Sequence, residues 1–159
     1  MSAVSRSGLP RCRTAALLVV LAVLAGLLAG CSAPLPDEEQ IRQRLDGMVD
    51  GLAERNARAV LAPLADDFSA DTWNLDPRGA RLLLEREMRA HQRLRARIHD
   101  FSAELHGDDR ASAEFRVILT GGSGLIPERG RWYRVRTGWR REGSDWMMIS
   151  ASWEDVVGL

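Results

Sequence analysis

The spacing of apolar residues changes once along this chain, near Leu94, from a helical to an alternating period, and that switch limits which architectures are open to it. Upstream, Ile41, Leu45, Met48 and Leu52 fall on one face of a helix predicted from about Asp37 to Arg55. Asp37 is its expected cap, with Gln40 as reciprocal partner. Asn56 is expected to cap a second, shorter helix carrying Val60, Leu61, Leu64 and later Phe68, tightened at Pro63. Asp67 to Trp73 reads as irregular chain or a short strand. Asp76-Pro77 opens a third helix, because an acid caps the free N–H groups and proline suits the first turn. Its stripe is Ala80, Leu84, Met88 and His91, with Leu83 and Leu94 beside it.

Downstream the period is two. Phe101, Ala103 and Leu105 alternate with polar residues, Gly107-Asp108-Asp109 turns the chain, and Ala113, Phe115, Val117 and Leu119 alternate again. The Gly121–Gly124 loop leads to a strand of about Gly130 to Arg141. Gly143-Ser144 then leads to another, about Asp145 to Glu154. Helices first and strands after predict an α+β domain over residues 37–159: three N-terminal helices packed on a curved antiparallel sheet of four strands or more.

The segment before this domain is of another kind. Arg6, Arg11 and Arg13 precede an unbroken run of Ala, Leu, Val and Gly from Ala15 to Leu28, with no acid among them. That run is shorter than the roughly 20 residues a bilayer-spanning helix needs, and with its basic flank it reads as a secretion signal over residues 1–30. It ends in Leu28-Ala29-Gly30-Cys31, which resembles the bacterial lipobox. The resemblance implies cleavage before Cys31, lipid on its thiol, and a tether over residues 31–36, whose two prolines favour extended chain. Ser32, a residue other than aspartate after the cysteine, fits transfer to the periplasmic face of the outer membrane. The membrane, reached through the lipid on Cys31, is thus the first expected partner.

Charge and cysteine content exclude two classes. All 22 basic residues are arginine; with the signal removed, 19 basic residues stand against 22 acidic, a net charge of −3. A general nucleic-acid binder needs the opposite excess, so no nucleic-acid partner is expected. The two cysteines are Cys12, in the signal, and Cys31, so the mature domain has no thiol for catalysis or metal binding.

Element order, together with Asn56-Ala57-Arg58-Ala59-Val60-Leu61-Ala62-Pro63-Leu64-Ala65-Asp66-Asp67-Phe68 and a late strand ending in Trp153-Glu154, resembles the nuclear transport factor 2-like superfamily, with its ketosteroid-isomerase-like and polyketide-cyclase-like members. The resemblance implies a cone-shaped fold with a pocket between sheet and helices, and is compatible with a homodimer through the sheet. In the isomerase-like enzymes an acid in the pocket moves a proton while a tyrosine and a second acid steady the oxyanion. Here the first helix has no tyrosine, and the single tyrosine of the chain, Tyr133, lies on a strand. No catalytic residue is assigned.

The candidate ligand-binding residues are Asp67, Trp73, His91, His99 and Tyr133. Asp67 follows the second helix where an acid at the pocket mouth would sit, with a solvated turn as its plainer role, and Trp73 lies in the loop before the third helix. His91 is on an apolar helical stripe, either as a pocket base or as a core or rim histidine with one hydrogen bond. His99 shares the parity of Phe101 and is expected to face inward. His106 sits beside a turn; three histidines on separate elements make no metal site, and no cofactor is expected. Arg131, Arg134, Arg136, Arg140 and Arg141 on the third strand read as a ladder paired with Glu104, Glu114, Glu142 and Glu154, or as a basic face for a partner. Two functions fit: a membrane-tethered binding or assembly module for an envelope protein or a small apolar ligand, or a small-molecule enzyme or carrier using the pocket.

Overall fold

The computed structural model describes residues 35–71, 74–122 and 130–156. The chain divides into Met1–Pro34 and Leu35–Leu159, and every described residue falls in the second part. The signal segment, Cys31 and Trp73 lie outside the described residues.

Helix α1 (Asp37–Ala53) and short helix α2 (Ala57–Leu61) lead into strand β1 (Leu64–Ala70). Helix α3 (Pro77–Ala90) follows, then β2 (Arg93–Leu105), β3 (Arg110–Gly122), β4 (Arg131–Glu142) and β5 (Asp145–Asp155). The strands form one five-stranded sheet in the order β1-β5-β4-β3-β2. β2 to β5 are an antiparallel meander, while β1 joins the edge parallel to β5, pairing Leu64 with Met148 and Ala70 with Ala151.

The additional strand corrects the placement of Leu64 and Phe68, which the sequence assigned to the second helix. Both lie on β1, and Phe68 is buried there. Pro63 stops α2 because it supplies no N–H to continue it, and its carbonyl instead accepts from the Met148 N–H at 2.7 Å, starting the new strand.

The helix starts follow their caps. The Asn56 side chain accepts from the Ala59 N–H at 3.2 Å, and that of Asp76 from the Gly79 N–H at 2.6 Å. At α1 the cap position belongs to Pro36, not Asp37, and no side chain caps it. Asp37 sits in the first turn and turns to the sheet: its carboxylate takes the Arg141 guanidinium at 2.5 Å and the Trp146 indole N–H at 3.3 Å. The Arg141 guanidinium also lies 4.5 Å from the centre of the Trp146 ring. This contact ties the start of α1 to the β4–β5 hairpin.

The core closes within residues 41–151. Ile41 and Leu45 from α1 meet Phe68, Phe115, Trp139, Trp146 and Met148, with Trp139, Trp146 and Ile41 the largest side chains fully buried. The polar end of Trp139 is satisfied inside: its indole N–H donates to Thr137 Oγ1 at 2.8 Å, and that hydroxyl donates to the Ala113 carbonyl at 3.3 Å. A buried donor left unpaired would cost more than the bond itself contributes.

Candidate ligand-binding site

Between the helix-bearing face of the sheet and α1, α2 and α3 lies a cavity of about 710 Å³, well inside the size range of small-molecule pockets. Its walls come from every one of these elements: Leu45 and Met48 on α1, Leu84 on α3, Phe68 on β1, Val135 on β4 and Met148 on β5. The helical period of α1 and α3 and the alternation of the strands send apolar side chains to this one face, and packing does not fill the space. Phe115 and Trp153 line it without closing it, while Met88 is buried outside the lining.

The polar lining residues are Glu87, His91, Arg95, Thr120, Arg131, Tyr133 and Thr137. Thr137 is spent on Trp139 and Ala113. Glu87 and His91, one helical turn apart, stand with carboxylate and imidazole Nε2 at 3.6 Å. On β4, Arg131, Tyr133, Val135 and Thr137 alternate toward the cavity. The side chains of Arg131 and Tyr133 make no hydrogen bond or ion pair to another described residue.

Of the candidates read from the sequence, His91 and Tyr133 line this cavity and Asp67 and His99 do not. His91 is not within α3 but caps its end, with extended backbone, and its ring lies 3.5 Å from where a side chain on Gly121 would begin. His99 is turned outward by an irregularity in β2. The register with β3 shifts between His99 and Ser102, where Asp100 takes a left-handed φ of 51°. A residue inserted in this way reverses the parity that follows, so Ile98 and Phe101 both pack on the core. His99 instead packs against Trp132, the rings tilted by 47° with centres 5.1 Å apart.

Asp67 is also exposed and away from the cavity, in a two-pronged ion pair with Arg140 at 2.7 and 2.9 Å. Hydrogen bonding to Arg140 is the main cause that holds its carboxyl below the ordinary value. Arg134 and Arg136 reach Glu114 and Glu154, and Arg140 also pairs with Glu142. The cross-strand ladder thus exists for Arg134 and Arg136, while Arg140 meets Glu142 within β4 itself, Arg141 pairs with Asp37, and Arg131 and Glu104 are not in it. Among the described residues no group of His, Cys, Asp and Glu could hold a metal ion.

Glu87 and Arg131 were not read from the sequence as cavity residues, Arg131 having been assigned to the arginine ladder. The first had a signal, its spacing of four from His91 on a helix. The second had one in its parity with Tyr133.

The five-stranded sheet with helices on one face is the nuclear transport factor 2-like fold, also called cystatin-like. The chain is similar to a nuclear transport factor 2-like protein with a cystatin-like fold from Novosphingobium aromaticivorans: 17% identity over 89% of this chain and 92% of that one, TM-score 0.66. It is also similar to one of unknown function from Pseudomonas putida, at 23% identity over 74% of this chain and 84% of that one, TM-score 0.62. A third similar structure is a candidate aromatic ring hydroxylase from N. aromaticivorans, at 17% identity over 80% of this chain and 94% of that one, TM-score 0.65. No family model matches the sequence, and no curated protein matches it. At these identities the likeness is one of fold, which hosts many activities.

Proposed function

We propose that the chain is an envelope lipoprotein whose exported domain binds a small, largely apolar molecule without transforming it. The observation that carries this reading is the cavity of about 710 Å³ with its mostly apolar lining. Apolar surface facing such a space is left without dispersion partners, and a ligand that covers it gains the transfer free energy. The polar groups are few against an apolar lining, and one of them, Thr137, is fully bonded within the core.

The address rests on Leu28-Ala29-Gly30-Cys31 and the basic-then-apolar run before it. In this proposal Cys31 carries the acyl chains, residues 31–36 are the tether, and the domain faces the periplasm from the outer membrane. No described helix is long and apolar enough to cross a membrane; the proposed attachment through lipid rests on the lipobox alone.

A second reading has its own observation. The Glu87–His91 pair on the cavity wall is the arrangement a general base would need, and it favours an enzyme acting on the same apolar ligand. Titrating the mature chain (residues 31–159, with Cys31→Ala) with an uncharged dye that fluoresces in apolar surroundings tests the first reading. Saturation at one site supports it; a linear, non-saturating signal rejects it. An enzyme would show a His91→Ala variant that keeps dye binding and loses turnover of the bound molecule. Labelled palmitate entering the parent chain but not Cys31→Ala tests the address.

A further inference from the structure

We infer that the cavity's ligand is an amphiphile carrying one carboxylate or similar monoanionic head, held by Arg131 with help from the Tyr133 hydroxyl, with its apolar body directed toward Leu84 and Met148. This rests on the binding reading above and names the class of molecule.

Three of the seven polar residues of the lining are already occupied. Thr137 gives and receives a hydrogen bond within the core, and Glu87 faces His91. The side chains of Arg95, Thr120, Arg131 and Tyr133 have no hydrogen-bond or ion-pair partner among the described residues, and of these Arg131 and Tyr133 lie together on β4. They are two positions apart on β4 and so project from the same face, about 7 Å apart along the strand. Arg131 pairs across the sheet with Leu119 and Tyr133 with Val117. Leu119 is 41% exposed and Val117 is 9%, so Arg131 stands at the open end of the lining and Tyr133 one step further in.

A guanidinium is charged at any ordinary pH and presents its N–H groups in a plane that matches a carboxylate. At the rim of an apolar space its field acts through a low-dielectric wall, which strengthens attraction for an anion and disfavours a cation. Arg95 adds a second guanidinium to the lining. The acids nearby set an upper limit on the head's charge. Glu87 is on the opposite wall and Asp155 stands across from Tyr133 on β5, so a dianion would meet repulsion that a monoanion largely escapes.

The test uses displacement of the uncharged dye from the mature chain (residues 31–159, Cys31→Ala) by dodecanoate and by dodecan-ol of equal chain length, below their aggregation thresholds. Dodecanoate is expected to displace the dye at about tenfold lower concentration, the range of one charge-assisted hydrogen-bonded contact. Arg131→Met is expected to abolish that preference, and Tyr133→Phe to reduce it by a smaller factor. Equal displacement by acid and alcohol, or a preference that survives Arg131→Met, overturns the inference while leaving the cavity reading intact. A dye that never saturates the parent chain overturns both.

Discussion

The Arg55 guanidinium donates to the carbonyl oxygen of His91 at 2.7 Å, across 36 residues of chain. The same side chain reaches the carbonyls of Gln92 at 3.2 Å and of Met88, so one cation closes the C-terminal end of α3. Those carbonyls have no partner within the helix, and the end of a helix favours positive charge. Arg55, itself at a left-handed φ of 60°, therefore holds in place the turn that carries His91 to the cavity wall. Arg55→Met should lower stability by about 1–2 kcal/mol in urea denaturation and raise hydrogen exchange at residues 88–92. Unchanged exchange there would show that α3 does not depend on this cap.

Gly51 lies where α1 meets α2. A Cβ at this position would stand 2.8 Å from the Ala59 Cβ and 3.0 Å from the Val60 backbone nitrogen. Alanine is the better helix former, yet here it must push two backbones apart. Gly51→Ala is expected to cost about 1–3 kcal/mol, read as a lower urea midpoint. A gain in stability would mean that the helices separate freely.

Thr137→Val keeps the shape of the side chain and removes its hydroxyl. The Trp139 indole N–H, on a residue only 1% exposed, then has no acceptor. The expected loss is about 1–3 kcal/mol, and Trp139→Phe in the same background should recover part of it by removing the orphaned donor. A double variant no more stable than Thr137→Val alone would contradict this account of the pair.

Acid should weaken the fold in a defined direction. Hydrogen bonding to Arg141, helped by the Trp146 indole and opposed by burial, holds the Asp37 carboxyl below its ordinary value. A carboxyl whose folded pKa lies below its unfolded value of about 3.9 contributes stability that is complete above that pH and lost as pH falls through the folded value. Asp67 acts in the same sense through Arg140, with less effect because it is solvent-exposed. Asp37→Asn should therefore be less stable than the parent near neutrality and show a shallower loss below about pH 4 in urea melts. Parallel curves would remove Asp37 from the acid response.

The sequence showed where the structure obeys local rules. Asn56 and Asp76 cap helices because their side chains bond the chain immediately following, and the meander follows an alternation that needs no distant information. Three features were hidden for physical reasons. β1 owes its existence to β5, the last strand of the described chain, and its register shift between Leu64 and Ser69 breaks the alternation that would have revealed it. His99 was assigned inward because nothing in Ile98-His99-Asp100-Phe101 announces an inserted residue; the left-handed turn at Asp100 is stabilised by tertiary pairing with Arg116. Asp37 resembles a cap, but a distant arginine competes for its carboxylate and wins. The cavity itself is a property of how faces meet, so its residues were legible one by one, as with His91 and Tyr133, and its volume was not.

The central claim is that the space between sheet and helices holds a ligand, and filling it from within tests this most directly. Leu84 lines the cavity from α3 and is half-buried. In Leu84→Trp the indole should occupy part of the space, leaving the chain folded by circular dichroism and cutting saturable dye binding at least tenfold. A folded Leu84→Trp chain that binds the dye as the parent does would place the dye elsewhere and contradict the account.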